Sequence, residues 1–481
     1  MQRSQHVHNK IVLAFILCLT LLLSACSTKN EQAQNPLNPE QPISITLWHY
    51  YSGHTKTKFD QLVTDFNNTV GVEKGIVVDA KSQGDIDQLE AAVFNAANKN
   101  IGAEPLPDIF AAYPDNAFRV SKFVDLVDFE TYFSTEELAT FQQDFLTSGR
   151  LVEDGPIQIL PIAKSTEILF LNKTFWDVFA EETNTSTEQL ATWEGLAKTA
   201  ESYYEWSGGK AFLGIDSLAN FMLIASAQLE QALFIEQDGI VSFNFEKQTA
   251  KKLWDMYYVP FINGHFIKEG RFSSDDSKVG LNIAYVGSTA SAVYFPTKVT
   301  LNQNEITKIE NSTFPYPTFE NGKQLAVQQG AGMAIINSDK THEFAAAEFL
   351  KWYTAVEQNS QFAVSTAYFP VKNEALQAEQ LLATLDSENI EATASLASSI
   401  KTTLAMLEDY ELLSYTAFEG SFDIRSVLDN HLATQITQDL GALALAPNEA
   451  EKEQLRAELQ SEQHFNAWYT AFNEDIQRYF K

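Results

Sequence analysis

The sequence predicts an α/β protein, and three observations carry that prediction. Strand-like and helix-like apolar patterns alternate between Ile43 and Ala112. Apolar runs rich in small residues return much later, at Ile283–Ser288 and Leu325–Ile336. Hydrophobic residues fill 45% of the 481 positions and aromatic residues 12%, enough for more than one large core. The length corresponds to two to four domain-sized units.

Taken in order, Ile43, Ile45 and Leu47 alternate with period two and predict a strand running into Trp48-His49-Tyr50-Tyr51-Ser52-Gly53. Phe59, Leu62, Val63 and Phe66 then form one helical stripe, closed by Asn67-Asn68. Ile76-Val77-Val78 is a second strand, Leu89, Ala92, Val93 and Ala96 mark a second helix, and Asp108–Ala112 is a third strand leading into Tyr113-Pro114-Asp115-Asn116. This order predicts a parallel sheet with crossover helices, whose ligands lie beyond the carboxyl ends of the strands. Trp48–Gly53, Gly84-Asp85-Ile86 and Tyr113–Asn116 fall on that rim. Extended apolar runs at Ile157–Pro161 and Ile168–Leu171 flank the polar Lys164-Ser165-Thr166-Glu167. A helix-rich region follows from Thr192 past Asn220 to Trp254. Phe349, Trp352, Tyr353 and Val356 give a further helical stripe, and helices close the chain from Ser426 onward.

Lys plus Arg number 33 against 63 Asp plus Glu, a formal charge of -30, and such a field repels nucleic acid and anionic lipid surfaces. Both cysteines, Cys18 and Cys26, lie in the first 26 residues, so the rest of the chain can form neither an internal disulfide nor a thiolate zinc site. Arg3 and Lys10 precede an apolar run from Ile11 to Leu23, which is too short to span a bilayer and suits an export signal. Leu23-Ser24-Ala25-Cys26 resembles a bacterial lipobox, which implies a signal peptide over 1–25 and acylation of Cys26. Residues 26–42 read as a flexible tether. The protein is therefore expected outside the cytoplasm, held to the bacterial membrane by lipid only, on its periplasmic or cell-surface face.

Several segments, in order along most of the exported chain, resemble the extracellular solute-binding proteins of bacterial ABC importers, family 1, which includes the maltose- and glycerol-3-phosphate-binding proteins. They are Ile45-Thr46-Leu47-Trp48-His49, Pro107-Asp108-Ile109, Leu160–Glu167 with Asn172-Lys173, Thr192-Trp193-Glu194, Gly330-Ala331-Gly332-Met333, Ala346–Trp352, Thr366–Val371 and Gly420–Arg425. The resemblance implies a two-lobed periplasmic-binding-protein-like fold of type II, with discontinuous lobes joined by a multi-strand hinge. It implies a first lobe over 43–163 and 328–367 and a second over 164–327 and 368–481. Chain crossings are implied near Pro161–Ser165, Gln328–Gly330 and Ala367–Pro370.

The glycerol-3-phosphate branch is the closest in motif, and its binding positions carry over to Lys164-Ser165-Thr166, Ser288, Gly330, Tyr368 and Arg425. These types suit an oxygen-rich ligand. Arginine offers a rigid fork of donors, serine a hydroxyl, and glycine a close approach of the backbone N–H. The chain departs from the branch at Ile86, where a Tyr is expected, and at Tyr113-Pro114-Asp115, where Tyr-Glu is expected. The ligand class thus stays open among sugar, oligosaccharide, polyol and sugar or glycerol phosphate. Trp48, Tyr50, Tyr113 and Tyr368 supply ring faces in this reading, and Asp115, Asn116 and Arg425 supply polar partners. The ordinary alternatives are core aromatics at Trp48–Tyr51, a surface ion pair at Arg425, and close packing at Gly330 and Gly332.

No catalytic constellation emerges. His342-Glu343 is followed by Ala346 where a zinc-protease helix needs a second His, and no nucleophile elbow or phosphate-cradling loop is found. His49 and His54 do not share a helix face. The expectation is a non-enzymatic, monomeric receptor without cofactor or metal, passing its solute to the permease subunits. The rivals are a surface-anchored glycan hydrolase using a carboxylate pair on the rim, and a surface adhesin with no small ligand.

Overall fold

The computed structural model describes residues 35–480 other than 238, 302–304, 388–393 and 416. The leader 1–25, Cys26 and the tether as far as 34 lie outside the described residues.

Two sheets organise the molecule. The first has the order Ile76–Ser82, Ile43–His49, Ile109–Ala112, Gly332–Ile335, Leu160–Pro161. Its first three strands are parallel, with Ile43 opposite Ile76 and Leu47 opposite Ile109. Gly332–Ile335 runs antiparallel to both of its neighbours. The helices Gly53–Asn68 and Ile86–Ala97 are the crossovers. Phe59, Leu62, Val63 and Phe66 are buried on the first of them, as their spacing predicts. Asn67 then ties the helix end to the next strand: its Nδ2 donates to the Val78 carbonyl at 2.9 Å and its Oδ1 accepts from the Val78 N–H at 2.8 Å.

The second sheet has the order Asn311–Phe314, Glu167–Asn172, Ala284–Ser288, Leu213–Ile215, and only its last pair is parallel. Glu167–Asn172 is buried along its whole length, which explains its unbroken apolar reading. Leu325–Ile336 serves two sheets: Leu325–Val327 pairs with Glu411–Leu413, while Gly332–Ile335 enters the first sheet. Two expectations change at this level. The stripe Phe349–Val356 is divided, because Lys340–Tyr353 ends at Thr354 and a new helix starts at Val356. The closing helices begin at Ser421, earlier than Ser426, with a helix that runs to Ala444.

Each sheet lies in its own hydrophobic core, so the molecule has two lobes. The first core draws on Ile45–Ala163, then on Ala331–Phe362, with Phe369 and Val371. The second draws on Ile168–Val327, on Val364 and Ala367, and on Leu381–Ile476. Three chain segments run side by side where the cores meet. Lys164 N–H donates to the Phe369 carbonyl at 3.1 Å and Phe369 N–H donates back at 2.6 Å, while Ser165 and Gln329 exchange bonds of 3.0 and 2.8 Å. These four backbone bonds make the junction a short strip of sheet. Gly330 sits in it with φ +90°, and a Cβ there would lie 2.4 Å from the Ala163 carbonyl oxygen, so only glycine fits.

Candidate functional site

The rim of the first sheet faces the second lobe. Tyr50 follows the first strand, Tyr113 precedes the helix Pro114–Ser121 with proline at its first position, and Tyr368 comes from the last junction segment. Their phenols lie close together, each near enough to act on the ionisation of its neighbours. Burial pushes all three hydroxyls above the usual tyrosine pKa, so they stay neutral donors and acceptors. Tyr368 also stacks on Phe362, with ring centroids 6.3 Å apart.

Two acids lie behind this cluster. Asp115 is 5% exposed, and burial raises its pKa against the pull of Arg425. Glu90 is 8% exposed on the helix Ile86–Ala97, and burial, with Asp115 nearby, lifts it to about 8. Glu90 therefore carries a proton at neutral pH. Asn116 is buried, and its Nδ2 has no protein partner.

The second lobe presents a hydrogen-bonded chain. Arg425 Nη2 donates to Asn220 Oδ1 at 3.0 Å, Asn220 Nδ2 donates to Glu167 Oε1 at 2.7 Å, and Gln329 Nε2 reaches the same oxygen at 3.0 Å. Burial raises Glu167 to about 7. Burial also works against the Arg425 charge, but Asp429 and Asp115 outweigh it and hold the guanidinium above its ordinary pKa. The guanidinium faces the Tyr415 ring at 5.6 Å. Arg425 is thus no free surface cation. It belongs to a side-chain network anchored at the junction and feels the charge of Asp115 in the opposite lobe.

The remaining predicted residues divide. Ser288 stands opposite Glu167 in the sheet, and its hydroxyl accepts from Ala290 N–H at 3.3 Å. Ser165 and Gly330 are junction residues. Lys164 is buried there with its Nζ 3.0 Å from Ser148 Oγ, and burial lowers its pKa to about 7. Trp48 corrects an expectation: it is 3% exposed within the first core and serves packing, not as a ring face. Its neighbour His49 is buried too and accepts the Tyr51 N–H at 3.1 Å, while His54 meets the Ser365 carbonyl at 3.1 Å, so the two histidines serve separate structural ends. Among the described residues no group of three or more His, Cys, Asp or Glu is placed to hold a metal, and no helix is long and apolar enough to cross a membrane.

Glu90, Asn220 and Gln329 were not singled out as site residues from the sequence. Glu90 carried a readable signal, because it lies on the buried face of its helix with Ile86, Val93 and Ala97, where an acid is out of place.

Residues 61–389, more than half of the chain, match the family model of the bacterial extracellular solute-binding proteins. No curated protein matches. Among solved structures, the cyclic alpha-maltosyl-1,6-maltose binding protein of Arthrobacter globiformis is 17% identical with a TM-score of 0.63, over 91% of this chain and all of that one. UgpB of Mycobacterium tuberculosis, solved with glycerophosphocholine, is 15% identical with a TM-score of 0.65, over 89% and 99%. Lmo0181 of Listeria monocytogenes, an ABC substrate-binding protein solved with cycloalternan, is 14% identical with a TM-score of 0.64, over 87% and 98%. At these identities the likeness shows the fold alone.

Proposed function

Because this chain belongs to the bacterial extracellular solute-binding proteins, we propose that it is the lipid-anchored receptor of an ABC importer and delivers a carbohydrate-like solute to the permease. The convergence of Tyr50, Tyr113 and Tyr368 with Asp115 and Arg425 between the lobes carries this reading. Phenol rings suit the C–H faces of a sugar, and neutral hydroxyls with planar polar groups suit its hydroxyls. The ligands of the neighbours, a cyclic maltosyl-maltose, a cycloalternan and a glycerophosphocholine, are of the same oxygen-rich kind.

Within that class an uncharged sugar, oligosaccharide or polyol is favoured over a phosphate. Arg425 is the natural phosphate reader, yet it is bonded to Asn220 and flanked by Asp429 and Asp115. A dianion placed there would meet Asp115 and Glu167 as well. The solute acts by differential contact: it touches both lobes only when they close, and equal affinity for open and closed forms would shift nothing. Acylation at Cys26 would hold the receptor, as a monomer, beside the permease.

A thermal-shift panel of sugars, oligosaccharides, polyols and their phosphates tests this reading. One uncharged compound is expected to raise the melting temperature and to be recovered intact. Cleavage of that compound would establish the glycan hydrolase instead, and a flat panel would favour the adhesin.

A further inference from the structure

Arg119 stands on the helix Pro114–Ser121 of the first lobe. Its guanidinium carbon lies 4.2 Å from the ring centroid of Phe94, in the same lobe, and 3.7 Å from that of Phe422, at the start of the long helix of the second lobe. One planar cation is therefore held between two rings that come from opposite lobes. The first lobe fixes its orientation: Arg119 Nη2 donates to Asn116 Oδ1 at 3.2 Å and reaches the Glu90 carbonyl oxygen at 3.5 Å. Its Nε is buried without a hydrogen-bond partner, and from the second lobe the side chain meets the Phe422 ring and the charge of Asp423. An arginine in that position stacks and attracts at once, which a lysine does not.

Other contacts share the register. Lys122, one turn after Arg119, reaches Glu419 at 3.4 Å, and Glu419 lies three residues before Phe422. Further along the rim, Arg271 of the second lobe reaches Asp85 of the first at 3.2 Å. Arg425 is one turn beyond Phe422 on the same helix, and its charge acts on Asp115 of the first lobe. Both ion pairs are largely exposed and are screened by salt, whereas the stack is partly buried and is not.

We propose that Arg119 and Phe422 form a clasp that keeps the lobes closed in the absence of solute. They are positioning residues: they set affinity through the fraction of molecules already closed, not by touching the solute. The inference rests on the two-lobed fold and is independent of which solute is bound.

Electron–electron distance measurement tests it without a ligand. Spin labels go on Ile101→Cys and Val279→Cys, both exposed and one in each lobe, in a full chain carrying Cys18→Ser and Cys26→Ser and freed of copurified solute by unfolding and refolding. The parent is expected to show mainly the short, closed distance, and to keep it in 1 M salt. Arg119→Ala is expected to lower the closed-to-open ratio about tenfold. Phe422→Leu should do the same from the other lobe, with the double variant opening little further. Arg119→Lys keeps the charge and should still open. A solute-free parent that is mainly open, or distances unchanged in both Arg119→Ala and Phe422→Leu, would overturn the clasp. Should Arg119→Ala fail to fold, Phe422→Leu decides.

Discussion

The junction and the cleft beside it join the same two lobes by opposite means. At the junction, three chain segments are held by backbone bonds between Lys164 and Phe369 and between Ser165 and Gln329, with a glycine where no side chain fits. In the cleft the lobes meet through side chains, in the stack of Arg119 on Phe422 and the pair of Arg271 and Asp85, and the charge of Arg425 acts on Asp115. Backbone contacts depend little on residue type, so the junction tolerates bending but not added volume. Side-chain contacts depend on type, charge and protonation, so the cleft is where affinity and specificity are set.

The sharpest break between the two is expected at Gly330. Gly330→Ala adds a Cβ against the Ala163 carbonyl at a backbone angle that disfavours any side chain, and should cost about 3 kcal/mol of stability by urea unfolding. A loss below 1 kcal/mol would show that the junction has slack that the geometry does not suggest.

A smaller effect, dependent on pH, is expected from the cleft. Glu90 is raised from an ordinary glutamate value to about 8, so the folded state holds a proton that the unfolded chain has released. Its contribution is full below about pH 4.5 and is lost as pH rises through about 8. Glu167, raised to about 7, acts in the same sense. Lys164, lowered to about 7, acts in the opposite sense, because folding becomes easier as pH climbs from there towards the free lysine value. Glu90→Gln removes one of these slopes and leaves the others. At pH 8.5 it should be more stable than the parent by roughly 2 kcal/mol, and near pH 4 about equal. Parallel pH profiles for the two proteins would contradict the buried, protonated acid.

How much of this was legible in the sequence follows the same division. The first lobe could be read because its periodicities are local: Phe59–Phe66 and Ile76–Val78 each bury one face or one strand. The divided segments were legible only in part. The family resemblance implies a crossing near Gln328–Gly330, inside Leu325–Ile336, whereas the helical spacing of Phe349–Val356 runs on across the helix end at Thr354. Two hairpins, Phe234–Gln237 with Ile240–Phe243 and Lys298–Leu301 with Glu305–Lys308, also went unread. For the first, Asp238-Gly239 between alternating residues was the available signal. Among the site residues, the structure gathers Tyr50, Tyr113, Tyr368, Asp115 and Arg425, whereas Trp48 belongs to the core. A buried tryptophan at a strand end and one facing a cleft have the same sequence context. The chain from Arg425 through Asn220 to Glu167 joins residues over 200 positions apart, and no local pattern reports that.

The smallest effect on stability and the most telling one on function belong to the phenols and the arginine. Tyr368→Phe removes one hydroxyl from the cluster and should change stability by less than about 1 kcal/mol. The central claim is that a carbohydrate-like solute is held between the lobes by these side chains. It is tested most directly by calorimetric titration of the stabilising solute into the parent, Tyr368→Phe and Arg425→Ala. The account predicts binding weakened about tenfold or more in each variant, with both still folded at the titration temperature. Unchanged affinity in both folded variants would contradict it.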